Sequence, residues 1–105
     1  GLVMERSNNA TVVFNNVTGN KLQGILLQTL SNGTSIKLNT VKANKRHGIA
    51  LTGNSDNNKF TLNTSKTNGN GVTFFDVFWD QNAGATGNSA VLNFFTTEKP
   101  AFFWN

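Results

Sequence analysis

The sequence has no cysteine, no tyrosine, and only one proline, one histidine and one methionine. Without cysteine, disulfides and thiolate chemistry are excluded, and the redox compartment is not indicated. Acidic residues are scarce: Glu5, Asp56, Asp76, Asp80 and Glu98 are the whole set. No apolar run approaches the ~18 residues of a spanning helix, so no membrane span is expected. No charged segment followed by an apolar one marks a secretory signal. The first residue is Gly1, which reads as a processed chain or a piece of a longer one.

What is present is asparagine, threonine, serine and glycine, with nine phenylalanines. These polar residues are weak helix formers and favour turns and β-structure. The net charge is +4, yet only 13% of the residues are charged. Lys42, Lys45, Arg46 and His47 form one short basic cluster. A nucleic-acid footprint needs a larger basic patch with stacking aromatics, so no nucleic-acid partner is expected.

The chain repeats. Gly followed by an aliphatic residue occurs at Gly1-Leu2, Gly24-Ile25, Gly48-Ile49 and Gly71-Val72, at intervals of 23, 24 and 23 residues. Asn15, Asn39 and Asn63 recur every 24 residues, and Asn20, Asn44 and Asn68 follow five residues after each. Equal spacing of independent markers is the signature of a stacked repeat. It divides one domain, 1–105, into coils of about 1–23, 24–47, 48–70 and 71–105.

Alternation within each unit assigns the faces, because side chains along a strand point to opposite sides. The columns Leu2/Ile25/Ile49/Val72, Met4/Leu27/Leu51/Phe74, Val12/Ile36/Phe60, Phe14/Leu38/Leu62 and Val17/Val41/Ser65 are expected inside. Thr11/Ser35/Lys59 and Thr18/Lys42/Lys66 are expected outside. A hairpin meander gives no reason for like residues to recur at a full-unit period, whereas parallel stacking does. Asn15, Asn39 and Asn63 should then form a structural ladder, each amide bonding the next rung and nearby turn backbone.

The units GILLQTLSNGTSIKLNTVKAN and GIALTGNSDNNKFTLNTSKTN resemble the repeats of right-handed parallel β-helix proteins. These are the pectate-lyase-like superfamily, and in particular its NosD-like periplasmic or secreted members. The resemblance implies an all-β, short right-handed parallel β-helix of about four coils. It also implies an extracellular, cell-surface or periplasmic setting. The fold serves many chemistries, so function has to come from a site. Polygalacturonase-like members use Asn-Thr-Asp, Asp-Asp and Gly-His-Gly. Here no Asp-Asp pair occurs, and the only histidine reads Arg46-His47-Gly48. The acidic calcium cluster of pectate lyases is missing as well.

Other chemistry finds little support. Glycoside hydrolysis needs two carboxylates across a cleft. Asp76 and Asp80 on one strand would lie ~13 Å apart, and turn or solvent roles suit them better. His47 reads as a solvated corner residue. One histidine and one methionine, Met4, do not make a metal site. No catalytic residue, cofactor or metal is therefore expected, and the chain reads as a non-enzyme.

The pattern fails after Gly71. Seven of the nine phenylalanines and both tryptophans lie between residues 74 and 104. The segment Phe75 to Gln81, then Gly84 to Asn88, and the tail Thr96-Thr97-Glu98-Lys99-Pro100 resemble the closing coil of such proteins. In the pairs Phe74-Phe75, Phe94-Phe95 and Phe102-Phe103, one ring of each should leave the core or cover an open end. Phe75, Phe78, Trp79, Phe94, Phe102, Phe103 and Trp104 are thus the candidate interface, or a cap. The N-terminal end starts inside the repeat without a cap, and exposed solenoid ends need covering. The expected partner is a second copy or an upstream β-helix domain. A carbohydrate ligand on a carbohydrate-binding or carbohydrate-active β-helix is the alternative.

Overall fold

The computed structural model describes residues 1–81 and 84–104. It is a β-solenoid of about four coils with no α-helix among the described residues. The first coil carries β1 (Leu2–Glu5), β2 (Thr11–Val13) and β3 (Asn16–Thr18). The second carries β4 (Ile25–Gln28), β5 (Ser35–Lys37) and β6 (Thr40–Lys42). The third carries β7 (Ile49–Leu51), β8 (Lys59–Thr61) and β9 (Thr64–Lys66). The last carries β10 (Val77–Trp79), β11 (Ser89–Val91) and β12 (Phe94–Phe95), and β13 (Glu98–Lys99) closes it.

Each strand pairs in parallel with its equivalent one coil on. This gives sheets β1-β4-β7-β10-β13, β2-β5-β8-β11 and β3-β6-β9-β12. Like stacks on like: Ile25 on Ile49, Ile36 on Phe60, Val41 on Ser65. The buried centre is one inward residue from most of the short strands, with two from each of β4 and β7. It includes Ile25, Leu27, Ile36, Val41, Ile49, Leu51, Phe60 and Val77.

The Asn15, Asn39 and Asn63 rungs are stacked and continue to Asn93. Each backbone N–H and each Nδ2 donates to the Oδ1 of the next rung at 2.9–3.1 Å. The other hydrogen of the Asn39 and Asn63 Nδ2 goes to a backbone carbonyl of the coil before, Val12 and Ile36 respectively, and that of Asn15 to Val13 in its own coil. The interior amides are thereby fully used. Asn20, Asn44 and Asn68 form a second ladder of the same kind. A third polar column was missed by the sequence reading. Ser7 and Ser31 donate their backbone N–H to Ser31 and Ser55 Oγ, and a separate column runs from the Thr34 N–H to Asn58 Oδ1 and from Asn58 to Asn88. The signal of the serine column was the same 24-residue interval at Ser7, Ser31 and Ser55.

The recurrent glycines serve space, not backbone angle. A Cβ on Gly48 would lie 2.2 Å from Ser65 Oγ, 2.4 Å from the Asp76 carbonyl oxygen and 2.5 Å from Asn68 Nδ2. A Cβ on Gly24 would meet Val41 Cγ1 at 2.4 Å and Asn44 Nδ2 at 2.8 Å. The second ladder occupies the volume that a side chain there would need.

Two register expectations are corrected. The last coil does not begin at Gly71: Val77 pairs with Ile49 and Trp79 with Leu51, while Val72 is 81% exposed. Residues 70–74 instead form a turn on Asn70, whose Oδ1 accepts the N–H groups of Val72, Thr73 and Phe74. Secondly, Phe14, Leu38 and Leu62 do not point inward. They take φ of 56°, 57° and 56°, and Leu92 takes 58°. A left-handed residue ends the strand and turns its side chain out of the alternation.

Candidate interaction site

The structure separates the candidate aromatic residues into two packed groups and two exposed rings, Phe94 and Phe102. Trp104 leaves the candidate surface altogether. It is fully buried, edge-on to Phe60 at 4.9 Å and to Phe103 at 5.1 Å, and its Nε1 donates to the Lys99 carbonyl at 3.2 Å. Phe103 is half-buried and packs on Trp79 at 4.5 Å. These three rings lie over the C-terminal end of the core column. Two chain-adjacent aromatic residues cover that end while Phe102, beside them, is 90% exposed.

Phe75 and Phe78 belong to a second group around His47. The imidazole stacks on Phe78 at 4.1 Å and lies parallel to Phe75 at 6.1 Å, with Phe74 edge-on at 5.2 Å. Arg46 sits over the Phe74 ring at 5.4 Å. His47 is therefore no solvated corner: it is 8% exposed. Burial, first, and the charge of Arg46 push its pKa from 6.5 to about 4. A backbone hydrogen bond can favour the imidazolium when a carbonyl receives its proton. Here the Phe75 N–H donates to Nδ1 at 3.0 Å, which needs the lone pair of the neutral ring. The insertion that displaced the last coil supplied these partners, which is why local sequence did not reveal the burial.

Asp76 is buried rather than in a turn or solvent role. It occupies the column of Gly24 and Gly48, one residue before the inward Val77. Its Oδ1 accepts the N–H of Asn68 at 2.8 Å and Asn68 Nδ2 at 3.1 Å. Its Oδ2 accepts the N–H groups of Thr96 and Thr97, both at 3.1 Å. The carboxylate thus stands where a fourth rung of the second ladder would be. The last coil offers no asparagine to Asn68, and Asp76 supplies the acceptor from the beginning of the same coil.

The opposite end has a different character. Leu2 and Met4 are only half-buried, whereas Ile25 and Leu27, stacked on them, are fully buried. The ladders donate toward the C-terminus. Nothing among the described residues donates to Asn15 Oδ1 or Asn20 Oδ1. β1, β2 and β3 each have one strand partner, leaving three parallel edges on one face.

The sequence model of one family, described as "NosD: Periplasmic copper-binding protein (NosD)", matches residues 1–101. The chain belongs to the NosD family. No curated protein and no solved structure matches it. The family is periplasmic, and the fold of this chain is the β-helix expected of it.

The NosD description names copper, and the donors can be tested against it. Copper sites assemble several imidazole, thioether, thiolate or carboxylate donors. Here the sole imidazole is enclosed by three phenylalanines with Nδ1 taken by the Phe75 amide. The sole thioether, Met4, packs at the N-terminal end of the core. No group of three or more His, Cys, Asp or Glu converges among the described residues. These residues do not fit a copper ion.

Proposed function

We propose that this NosD-family chain is a non-catalytic structural module that self-associates through its N-terminal face. The observation that carries the reading is the asymmetry of the two ends. Trp104, Phe103 and Trp79 cover one, while the other offers half-exposed Leu2 and Met4 and three strand edges. Open edges of this kind pair with other strands. The molecule measures 27 × 26 × 25 Å, so an end face buries on the order of 600 Å² per partner, just above the ~1,000 Å² total of a specific interface. Because the C-terminal end is covered, association of copies through this face stops at a dimer.

A carbohydrate-active role draws less support. It needs paired carboxylates, and Asp76 is buried with both oxygens committed to protein donors. The test is sedimentation velocity over a concentration series. A dimer that Met4→Asp converts to monomer, with unchanged β-sheet circular dichroism, is the expected result. A wild-type chain that stays monomeric at the highest concentration refutes the reading.

A further inference from the structure

The first three coils have two corners built alike, a left-handed residue followed by a ladder asparagine, and the last coil keeps the first of them. At the second corner the left-handed residues are Gly19, Ala43 and Thr67, followed by Asn20, Asn44 and Asn68. At the first they are Phe14, Leu38, Leu62 and Leu92, followed by Asn15, Asn39, Asn63 and Asn93. The left-handed conformation disfavours bulky side chains, and glycine or asparagine fits it best. The second corner shows that the turn does not call for large apolar residues. The first corner carries one in all four coils.

The result is an outward apolar ridge along the length of the stack. Phe14 is 76% exposed and Leu92 61% exposed at its ends, and Leu38 and Leu62 lie half-buried between them. Phe94, 59% exposed, extends it on the β12 side. Scattered exposed apolar residues need no explanation, but a contiguous row marks an interaction surface.

Charge selects the occupant. The two sheets flanking the ridge are β2-β5-β8-β11 and β3-β6-β9-β12, and their strands contain four charged residues, Lys37, Lys42, Lys59 and Lys66. All are cationic. Lys37 and Lys59 stand on one flank, Lys42 and Lys66 on the other, and Lys66 shares a shallow depression with Leu92 and Phe94. A second copy would bring the same charge to the same ridge. An apolar crest between lysine rails, with no acid on either sheet, is complementary to an anionic bilayer: the rings enter the interface and the lysines reach the phosphates.

We infer that the Phe14–Leu38–Leu62–Leu92 ridge is a peripheral docking surface for an anionic lipid bilayer. The test is co-sedimentation of the full chain with phosphatidylcholine vesicles and with vesicles containing phosphatidylglycerol, at low and high salt. Binding to the anionic vesicles, lost at high salt, is expected. Lys42→Gln with Lys66→Gln should weaken it about 25-fold, at about fivefold per lysine near an anionic surface. Phe14→Asn with Leu92→Asn should weaken it about tenfold or more while the melting temperature holds, because asparagine tolerates the left-handed turn. Equal binding to both vesicle types, no binding to either, or indifference to both double variants overturns the inference. So does a chain that ignores vesicles but is retained by immobilised polyglutamate through these lysines, which would assign the face to an acidic protein.

Discussion

The asparagine substitution at Asp76 separates a structural carboxylate from an incidental one. In Asp76→Asn one oxygen remains and keeps the two bonds from Asn68, at 2.8 and 3.1 Å. An NH2 group then faces the N–H groups of Thr96 and Thr97, donor against donor, where both bonds were 3.1 Å. Flipping the amide only moves the conflict to the backbone and side-chain N–H of Asn68. Hydrogen bonds to a charged group contribute roughly 1.5–3 kcal/mol each. Thr96 is exposed and the bonds are long, so the lower figure applies, and the loss is about 3 kcal/mol. Against a total stability of about 5–15 kcal/mol that is a large fraction. At ~4–8 °C per kcal/mol the melting temperature falls by ~12–24 °C. Trp79 and Trp104 both lie in the last coil, so urea unfolding followed by tryptophan fluorescence reads the affected region directly. Glu5→Gln, at an exposed carboxylate, is the control. If Asp76→Asn unfolds within ~0.5 kcal/mol of the parent, the ladder-ending role of Asp76 is wrong.

Two further outcomes follow. His47 has its folded pKa depressed from 6.5 to about 4, so the unfolded chain takes up the proton first as pH falls. Stability should be level above pH 6.5, decline by up to about 3 kcal/mol between pH 6.5 and about 4, and level again below. His47→Gln should abolish that component of the decline in urea titrations across the window; an unchanged slope refutes the buried neutral imidazole. Gly48→Ala should cost about 2–3 kcal/mol through overpacking, since its Cβ would meet the Asp76 carbonyl at 2.4 Å. Gly19→Ala, with open space around it and only φ of +72° against it, should cost about 1 kcal/mol, and equal losses would refute the assignment of Gly48 to close packing.

The period of 24 residues carried most of the fold, because stacking places identical demands on equivalent positions. The ladders, the inward columns of Ile36 and Val41 and the parallel pairing were all legible from it. The burial of His47 and Asp76 and the Ser7–Ser31–Ser55 column were not, and three further features were hidden, each for a local reason. Gly71-Val72 imitates the coil start, but it belongs to a turn closed by Asn70 Oδ1. Phe14, Leu38 and Leu62 continue the two-residue alternation in sequence, yet one left-handed residue per corner reverses their direction. Trp104 is expected among the C-terminal aromatics that form an interface or a cap, whereas it packs edge-on against Phe60 and is fully buried there. Alternation gives the face of a side chain only while the strand lasts, and strands of three residues end almost at once.

The same features explain why the two ends of the stack differ. A ladder of asparagines has a direction, since each rung donates to the one after it. At the C-terminal side some group must receive the last donors without donating onward. Asp76 meets that requirement, being acceptor-only when ionised, and its second oxygen holds the Thr96 and Thr97 amides of the closing segment. The 70–74 turn makes this possible by delaying the coil until Asp76 reaches the glycine column. At the N-terminal side the directional problem is inverted, with Asn15 and Asn20 presenting acceptors and the described residues supplying no donor to them. Termination is therefore built in at one end, while the open edges at the other suit a second copy or a preceding β-helix coil. The lysine-flanked ridge crosses both and depends on neither. Assembly and surface docking can thus be tested independently, by Met4→Asp for the first and Lys42→Gln with Lys66→Gln for the second.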